Sequence, residues 1–169
     1  MNVFYEDLPE TLKINGKEYP IITDFREWIR FSDMLKSDLQ PQYKLEFLSE
    51  MFLEDAPDLY TEEGIEEVMD SITSFLSLEA LEFPNQYSGE LEEVEEFDEK
   101  SEEVEYKDAT EKKAIYYEQD APYIISAFRR EYQVNLLSVP YMHWWEFRML
   151  LDGLSEESQI KKRIYWRTC

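Results

Sequence analysis

Few residues of this 169-residue chain could carry out chemistry. His143 is the only histidine, so a zinc or non-haem iron site built on two or three imidazoles has little support, and a Ser-His-Asp triad would depend on this one ring. A histidine beside two tryptophans is more typical of a packed, hydrogen-bonded side chain than of a catalyst. No serine lies in the glycine-flanked turn of a nucleophile elbow. A phosphate-binding loop needs several glycines close together, and the four glycines of this chain are far apart, at Gly16, Gly64, Gly89 and Gly153.

Carboxylates are abundant, since 39 acidic residues stand against 17 basic ones and give a formal net charge of −22. Two-metal and glycosidase sites are assembled from carboxylates in space, but most of these acids fall on polar helix faces or in one acidic run, where a solvated surface is the commoner role. Cys169 is the only cysteine, which excludes a zinc site of paired cysteines. We therefore predict a protein that is not an enzyme and that has no catalytic residue, metal or cofactor.

The same charge limits the classes of partner. A strongly negative surface repels a phosphate backbone and an anionic membrane, and no apolar run approaches the roughly 20 residues of a membrane span. We expect no nucleic-acid and no membrane binding. The first residues, Met1 to Asp7, lack the basic and then apolar pattern of a secretory signal, so we expect synthesis and residence in a cytoplasm.

Local patterns predict a mainly α fold, a helical bundle of about five or six helices with a small N-terminal β-hairpin. The hairpin is predicted over Leu12 to Ile22, with Asn15-Gly16 as a type I′ turn. Helices are predicted to begin at Asp24, in a capping box with Glu27, at Pro41 with an end near Leu53, and after Thr61. Further starts are predicted at Asp120, Ser138 and Ser155, with Gly153 ending the second of these three helices.

Helical periodicity disappears between Phe83 and Lys113. Within this stretch, Gly89 to Asp108 contains eleven Asp or Glu residues against Lys100 and Lys107, and such a composition favours a solvated chain. We expect residues 83–113 to be an acidic flexible linker or loop. Residues 1–82 would form the hairpin and the first helices, and residues 114–169 would form a C-terminal helical part that packs on them as one domain.

The segment from Val139 to Leu151 contains two of the four tryptophans and, as a helix, would be apolar nearly all round. Such a helix must be surrounded, either as the central helix of the core or with part of its surface against a partner, because Trp, Tyr and Arg dominate binding hot spots. Both interpretations stay open from the sequence. The candidate partner-binding residues are Trp28, Tyr141, His143, Trp144, Trp145, Phe147 and Leu151.

These residues also carry a family resemblance. The C-terminal part resembles the bacteriophage Gp-fifteen family in the series Asp120, Tyr123-Ile124, Ala127-Phe128, Tyr132, Asn135-Leu136, Met142-His143-Trp144-Trp145-Glu146-Phe147, Leu150-Leu151 and Gly153-Leu154. The N-terminal part resembles it in Leu12, Ile14-Asn15-Gly16, Tyr19, Ile21 and Asp24-Phe25-Arg26. The resemblance implies a protein from the tail module of long-tailed phages or prophages of Gram-positive bacteria, encoded near the tape-measure protein.

Three functions are consistent with this composition and this family resemblance. The resemblance favours a tail-assembly chaperone that binds the tape-measure protein, or another tail protein, in the host bacterial cytoplasm during infection or prophage induction, with self-association as a further expectation. A structural component of the phage tail is the main alternative. An acidic DNA mimic that blocks a host protein is less favoured, because mimicry needs carboxylates spaced along a rigid face, whereas the charge is concentrated in a predicted flexible run.

Overall fold

The computed structural model describes residues 1–81 and 115–169, so the predicted acidic linker, 83–113, lies outside the described residues. The predicted mainly α fold is confirmed, with six α-helices and one two-stranded antiparallel sheet in the described ranges. In chain order the elements are β1 (Thr11–Ile14), β2 (Lys17–Pro20), α1 (Phe25–Leu35), α2 (Pro41–Glu50), α3 (Glu62–Leu76), a 3-10 helix (Glu79–Leu81), α4 (Tyr117–Tyr132), α5 (Trp144–Asp152) and α6 (Gln159–Thr168).

The hairpin is present where the sequence predicts it. Asn15 and Gly16 both have positive φ, 52° and 77°, which is the geometry of the type I′ turn that suits these two residue types. The residues that follow β2 pair with the chain that follows α2. Ile22 N–H donates to the Met51 carbonyl at 2.9 Å. This pairing explains why α2 ends at Glu50 and not near Leu53 as predicted.

The starts of α1 and α3 are confirmed. Thr61 caps α3 by accepting the Gly64 N–H at 3.1 Å, and Asp24 caps α1. The Asp24 carboxylate accepts the Arg26 N–H at 3.0 Å and also binds the Arg26 guanidinium at 2.8 Å. Glu27 accepts a hydrogen bond from Arg30 at 3.1 Å and not from the Asp24 N–H. Asp24 therefore caps α1 through the Arg26 N–H alone, and the predicted capping box with Glu27 does not form.

The predicted starts of the last three helices are wrong by three to six residues. The helix predicted from Asp120 begins at Tyr117, the one from Ser138 begins at Trp144 with His143 as its cap, and the one from Ser155 begins at Gln159 with Ser158 as its cap. Two of the predicted caps bind other side chains instead: Asp120 binds Arg163 and Arg167, and the Ser155 hydroxyl donates to Glu131. Asp24 and His143 form an isolated antiparallel bridge, in which Trp144 N–H donates to the Thr23 carbonyl at 2.8 Å and Phe25 N–H donates to the Met142 carbonyl at 3.0 Å, and this pairing keeps the residues before α5 extended.

The buried apolar side chains of the described residues form one cluster with members from both ranges. Phe147 of α5 belongs to this cluster and is stacked on Phe25 of α1, with ring centroids 4.6 Å apart, and on Phe128 of α4 at 5.6 Å. Alpha-helix α6 packs on α4, and α3 packs on β1. No helix in the described residues is long and apolar enough to cross a membrane.

Candidate partner-binding surface

The structure places most of the predicted partner-binding residues inside the protein. Of the seven, only Tyr141 is exposed, at 54%. The other six have between 0% and 4% of their surface exposed and belong to the core or its polar edge, namely Trp28, His143, Trp144, Trp145, Phe147 and Leu151. Six of the seven side chains are therefore covered by the protein itself, so α5 is the core helix that one of the two sequence interpretations describes, and a partner-binding role for these residues stays a prediction.

The indole N–H groups explain how three tryptophans can be buried at once. Each donates to a backbone carbonyl: Trp28 to Ile22 at 2.8 Å, Trp144 to Leu76 at 3.1 Å and Trp145 to Phe75 at 2.7 Å. A buried indole without a partner would leave an unsatisfied donor. The Trp144 bond also satisfies the Leu76 carbonyl at the end of α3, whereas the Phe75 carbonyl accepts the Leu78 N–H as well as the Trp145 indole.

His143 has a structural role in the same region. Its Nδ1 atom accepts the Trp145 N–H at 2.9 Å, which makes it the cap of α5, and its Nε2 atom lies 2.8 Å from the Pro9 carbonyl. This pair of partners requires the neutral tautomer with the proton on Nε2, which then donates to Pro9. Burial lowers the pKa of His143 below its usual value and outweighs the hydrogen bond to Pro9 and the charges of Glu10 and Glu146.

We expect this lowered pKa to make stability depend on pH. Above the usual histidine pKa of 6.5 the ring is neutral in the folded and the unfolded chain, and its full contribution is present. Below 6.5 the unfolded chain binds a proton before the folded protein does, so the free energy of unfolding should fall, by up to about 1.4 kcal/mol per pH unit, until the folded pKa is reached. Urea denaturation across this range measures the slope.

The control for this prediction is His143→Asn. The Asn oxygen can accept the Trp145 N–H as a cap, and the variant removes the only histidine of the chain. The variant loses the bond to Pro9 and should be less stable at pH 7, but its stability should change much less between pH 6.5 and about pH 5. An equal slope in both proteins would assign the pH dependence to other groups.

The two most exposed rings of residues 115–169 lie on α6. Trp166 is 75% exposed and Tyr165 60% exposed, with ring centroids 5.8 Å apart in an edge-to-face arrangement. They point away from Ile160 and Ile164, which are buried against the core. We call Lys162, Tyr165 and Trp166 the α6 surface, since all three are exposed on the same side of the helix. Hydrogen bonding with Cys169 raises the pKa of Tyr165, so this phenol is neutral at physiological pH.

A buried carboxylate holds α6 against α4. The Asp120 side chain is fully buried and binds both oxygens to Arg167, at 2.5 Å and 2.9 Å, with Arg163 Nε at 3.1 Å and the Tyr116 N–H at 2.9 Å. Burial alone would raise the pKa of Asp120, but these hydrogen bonds and the Arg167 charge outweigh it, and the pKa lies below its usual value. The bond to Asp120 in turn raises the pKa of Arg167.

The two arginines also contact two tyrosine rings, Tyr123 in α4 and Tyr116, the residue before α4. The Arg163 guanidinium lies 4.4 Å from the centre of the Tyr123 ring, and the Arg167 guanidinium lies 5.0 Å from that of Tyr116. These are cation–π distances. The α6 surface is thus carried by a helix that one carboxylate and two rings fix in position.

A comparison with protein families identifies the kind of protein that has this structure. A family model described as bacteriophage Gp15 protein matches residues 4–169. The chain belongs to the bacteriophage Gp15 family. The predicted resemblance is confirmed, and membership indicates a phage structural or assembly protein. No curated protein and no solved structure gave a match.

Charge is distributed unevenly along this Gp15-family chain. Residues 1–81 contain nineteen acidic and six basic residues, a formal net charge of −13, whereas residues 115–169 contain seven of each. Within the latter part α6 is cationic, with Lys161, Lys162, Arg163 and Arg167 and no acidic residue after Glu157. In the residues that the structure describes, no group of three or more His, Cys, Asp or Glu side chains is placed to hold a metal ion.

A shallow groove of about 280 Å³ lies between α4 and the chain that leads into α6. Its lining includes the polar side chains of Ser126, Arg130, Glu131, Ser155 and Gln159. Glu131 accepts hydrogen bonds from the Ser155 hydroxyl and N–H, which lowers the Glu131 pKa. The sequence did not single out Trp166 as a surface residue, although its angular distance from Ile160 and Ile164 on a helical wheel indicates it.

Proposed function

We propose that this Gp15-family protein is a non-enzymatic phage tail-assembly chaperone that binds the tape-measure protein in the cytoplasm of the host bacterium. Family membership supports a structural or assembly role in a phage. The single observation that carries the finer proposal is the α6 surface, where Trp166 and Tyr165 are exposed beside Lys162 on a body of net charge −22.

A tape-measure protein that is still free exposes long apolar helical stripes, and these need a cover until the tail tube has formed. Exposed tryptophan and tyrosine rings bury large apolar area when a helix docks on them, and Arg and Lys stems add to this area. A strongly charged body then keeps the complex from associating with other complexes.

Co-expression tests the proposal. We expect a tape-measure fragment that is insoluble alone to become soluble with this protein and to co-elute with it in size-exclusion chromatography. The double variant Tyr165→Ser with Trp166→Ser should lose this effect, because both rings are exposed and their removal leaves the core unchanged. Tyr43→Ser is the matched control, since this ring is also half-exposed but lies on α2. A fragment that is equally soluble without the protein would contradict the proposal.

Family membership supports a second candidate function to the same extent, namely a structural component of the tail. Purified phage particles distinguish the two. Mass spectrometry should find peptides of a structural component in stoichiometric amounts, whereas a chaperone should be absent from particles and abundant in lysates of induced cells.

A further inference from the structure

Residues 1–10, which precede β1, form an arm with a fixed base and exposed rings, and we call this segment the leading arm. At its base the Pro9 carbonyl lies 2.8 Å from Nε2 of His143. Farther from the base, Phe4 is 95% exposed and Tyr5 is 80% exposed. Every other phenylalanine that the structure describes is buried or half-buried. The leading arm therefore carries apolar area that its own molecule does not cover.

The exposed part of the leading arm has a defined turn. The Asn2 side-chain oxygen accepts the Phe4 N–H at 3.0 Å, and the Asn2 carbonyl accepts the Glu6 N–H at 2.9 Å. The first residues of a domain are commonly loose unless they are tied down. A segment that already has its shape loses less conformational entropy when it binds. The turn thus favours docking of the two rings on a second surface.

A second apolar surface lies on the connection between α4 and α5, residues 133–143, which we call the α4–α5 loop. Leu137 of this loop is 75% exposed and Tyr141 is 54% exposed. Arg26 donates hydrogen bonds to two carbonyls of the loop, at 2.9 Å and 3.1 Å, and the Tyr141 hydroxyl is hydrogen-bonded to the Thr23 hydroxyl. The loop is therefore fixed in shape while two of its large apolar side chains face solvent.

The base of the leading arm and the end of the α4–α5 loop are in contact through the bond between Pro9 and His143. The arm nevertheless leaves the loop of its own molecule open, since Phe4 and Leu137 are both exposed. Because the two surfaces are neighbours, a twofold axis beside them places the arm of each copy over the loop of the other. Such an interface is isologous, so both arm–loop contacts form together.

The area of this exchange fits a stable dimer. A covered aromatic side chain buries about 150–250 Å², so Phe4 and Tyr5 of one arm bury roughly 300–500 Å², and the loop beneath them loses a similar area. Two arm–loop contacts then remove about 600–1,000 Å² from each copy, and a standard protein interface removes about 800 Å² from each partner. A single arm–loop contact would remove only about half of this area, which favours the reciprocal exchange.

We propose that this protein forms a twofold dimer in which the leading arm of each copy packs on the α4–α5 loop of the other. In each contact the rings of Phe4 and Tyr5 cover Leu137 and Tyr141. The contact is apolar, and it forms between copies that each carry a net charge of −22. The dimer does not rest on the proposed function, since it forms from this protein alone and does not use α6.

Analytical ultracentrifugation of the full chain tests the proposal. We expect a monomer–dimer equilibrium with no larger species. Phe4→Ala should raise the dimer Kd about 100-fold, which is about tenfold for each of the two contacts that the substitution affects, and Leu137→Ser should have a similar effect. Circular dichroism should show unchanged helix content, because both side chains are exposed.

Tyr60→Ala is the matched control. Tyr60 is 99% exposed but stands at the start of α3, about 20 Å along this helix from Phe75, whose ring contacts His143. This variant removes a ring that is at least as exposed as Phe4, far from the proposed contact. Its dimer Kd should equal that of the wild-type protein.

A mixing experiment tests whether arms pair with loops. A Phe4→Ala copy keeps an intact loop and a Leu137→Ser copy keeps an intact arm, so their mixed dimer has one complete contact, whereas neither variant alone can form one. An equimolar mixture should therefore contain more dimer than either variant by itself at the same total concentration. Added salt should also strengthen the wild-type dimer, because it screens the repulsion between two acidic bodies.

Three results would overturn the proposal. The first is a wild-type protein that stays monomeric at every concentration, which would leave the proposed function intact. The second is a dimer that Phe4→Ala and Leu137→Ser do not weaken, or that Tyr60→Ala weakens equally. The third is a mixture of the two variants that contains no more dimer than each variant alone, or a wild-type dimer that salt dissociates, since either would assign the contact to other groups.

Discussion

Replacing Trp144 with alanine should lower the free energy of unfolding by about 4 kcal/mol, the largest effect we expect from a single substitution. The Trp144 side chain is fully buried, packs beside Tyr117 and Phe147, and donates its indole N–H to the Leu76 carbonyl. Alanine would leave a cavity between α3, α4 and α5 and a buried carbonyl without its donor. Urea denaturation followed by far-UV circular dichroism measures the loss.

Trp166→Ala is the matched control for this prediction. The same chemical change at a 75% exposed position should alter the free energy of unfolding by no more than about 0.5 kcal/mol. The pair separates a core tryptophan from a surface tryptophan in one chain. A Trp144→Ala protein that is fully stable but no longer binds its partner would contradict the structure and restore the sequence-based assignment of Trp144 as a contact residue.

Replacing Asp120 with alanine should lower the free energy of unfolding by about 3 kcal/mol and loosen α6. The carboxylate is buried, whereas Arg163 and Arg167 are partly exposed and can regain water, which limits the loss. Trypsin provides a local measurement, because α6 contains Lys162 and Arg163 and should be cut sooner once the helix is released. Unchanged stability together with unchanged trypsin resistance would show that Asp120 does not hold α6.

A double-mutant cycle with Arg167→Ala tests whether the two residues act together. Because they contact each other, their effects should not add, and the coupling should be about 1–2 kcal/mol.

The ionisation of Asp120 should also make the free energy of unfolding depend on pH. The pKa of Asp120 is lowered from 3.8, so its contribution is complete above this value and is lost as the pH falls from 3.8 through the folded-state pKa.

Some features of the fold could be predicted because the signal is local. Asn15-Gly16 fixes the hairpin turn through the positive φ that both residues tolerate, and Thr61 caps α3 through an oxygen three residues from its partner. The starts of α4 and α5 could not be predicted in this way. Asp120 resembles a cap but binds α6, more than forty positions along the chain, and His143 caps α5 although it is not among the residue types that usually do so.

The candidate site could be predicted less well than the fold. A helix that is apolar nearly all round, as α5 is, has the same pattern whether a core or a partner surrounds it, so the rings of Trp144 and Phe147 could not be assigned from periodicity. The described structure resolves this, because the facing side chains come from α1, α3 and α4. The assignment of α6 as the exposed surface depends on which side of that helix α4 covers, a long-range property of the fold.

The burial of three indoles and the exposure of the fourth give this protein a built-in optical reporter. Trp28, Trp144 and Trp145 are shielded from solvent, so a water-soluble quencher of fluorescence reaches Trp166 first. Quenching of the native protein thus reports almost entirely on one ring of α6, and protection of that ring on adding a partner or on self-association can be read in solution without a label.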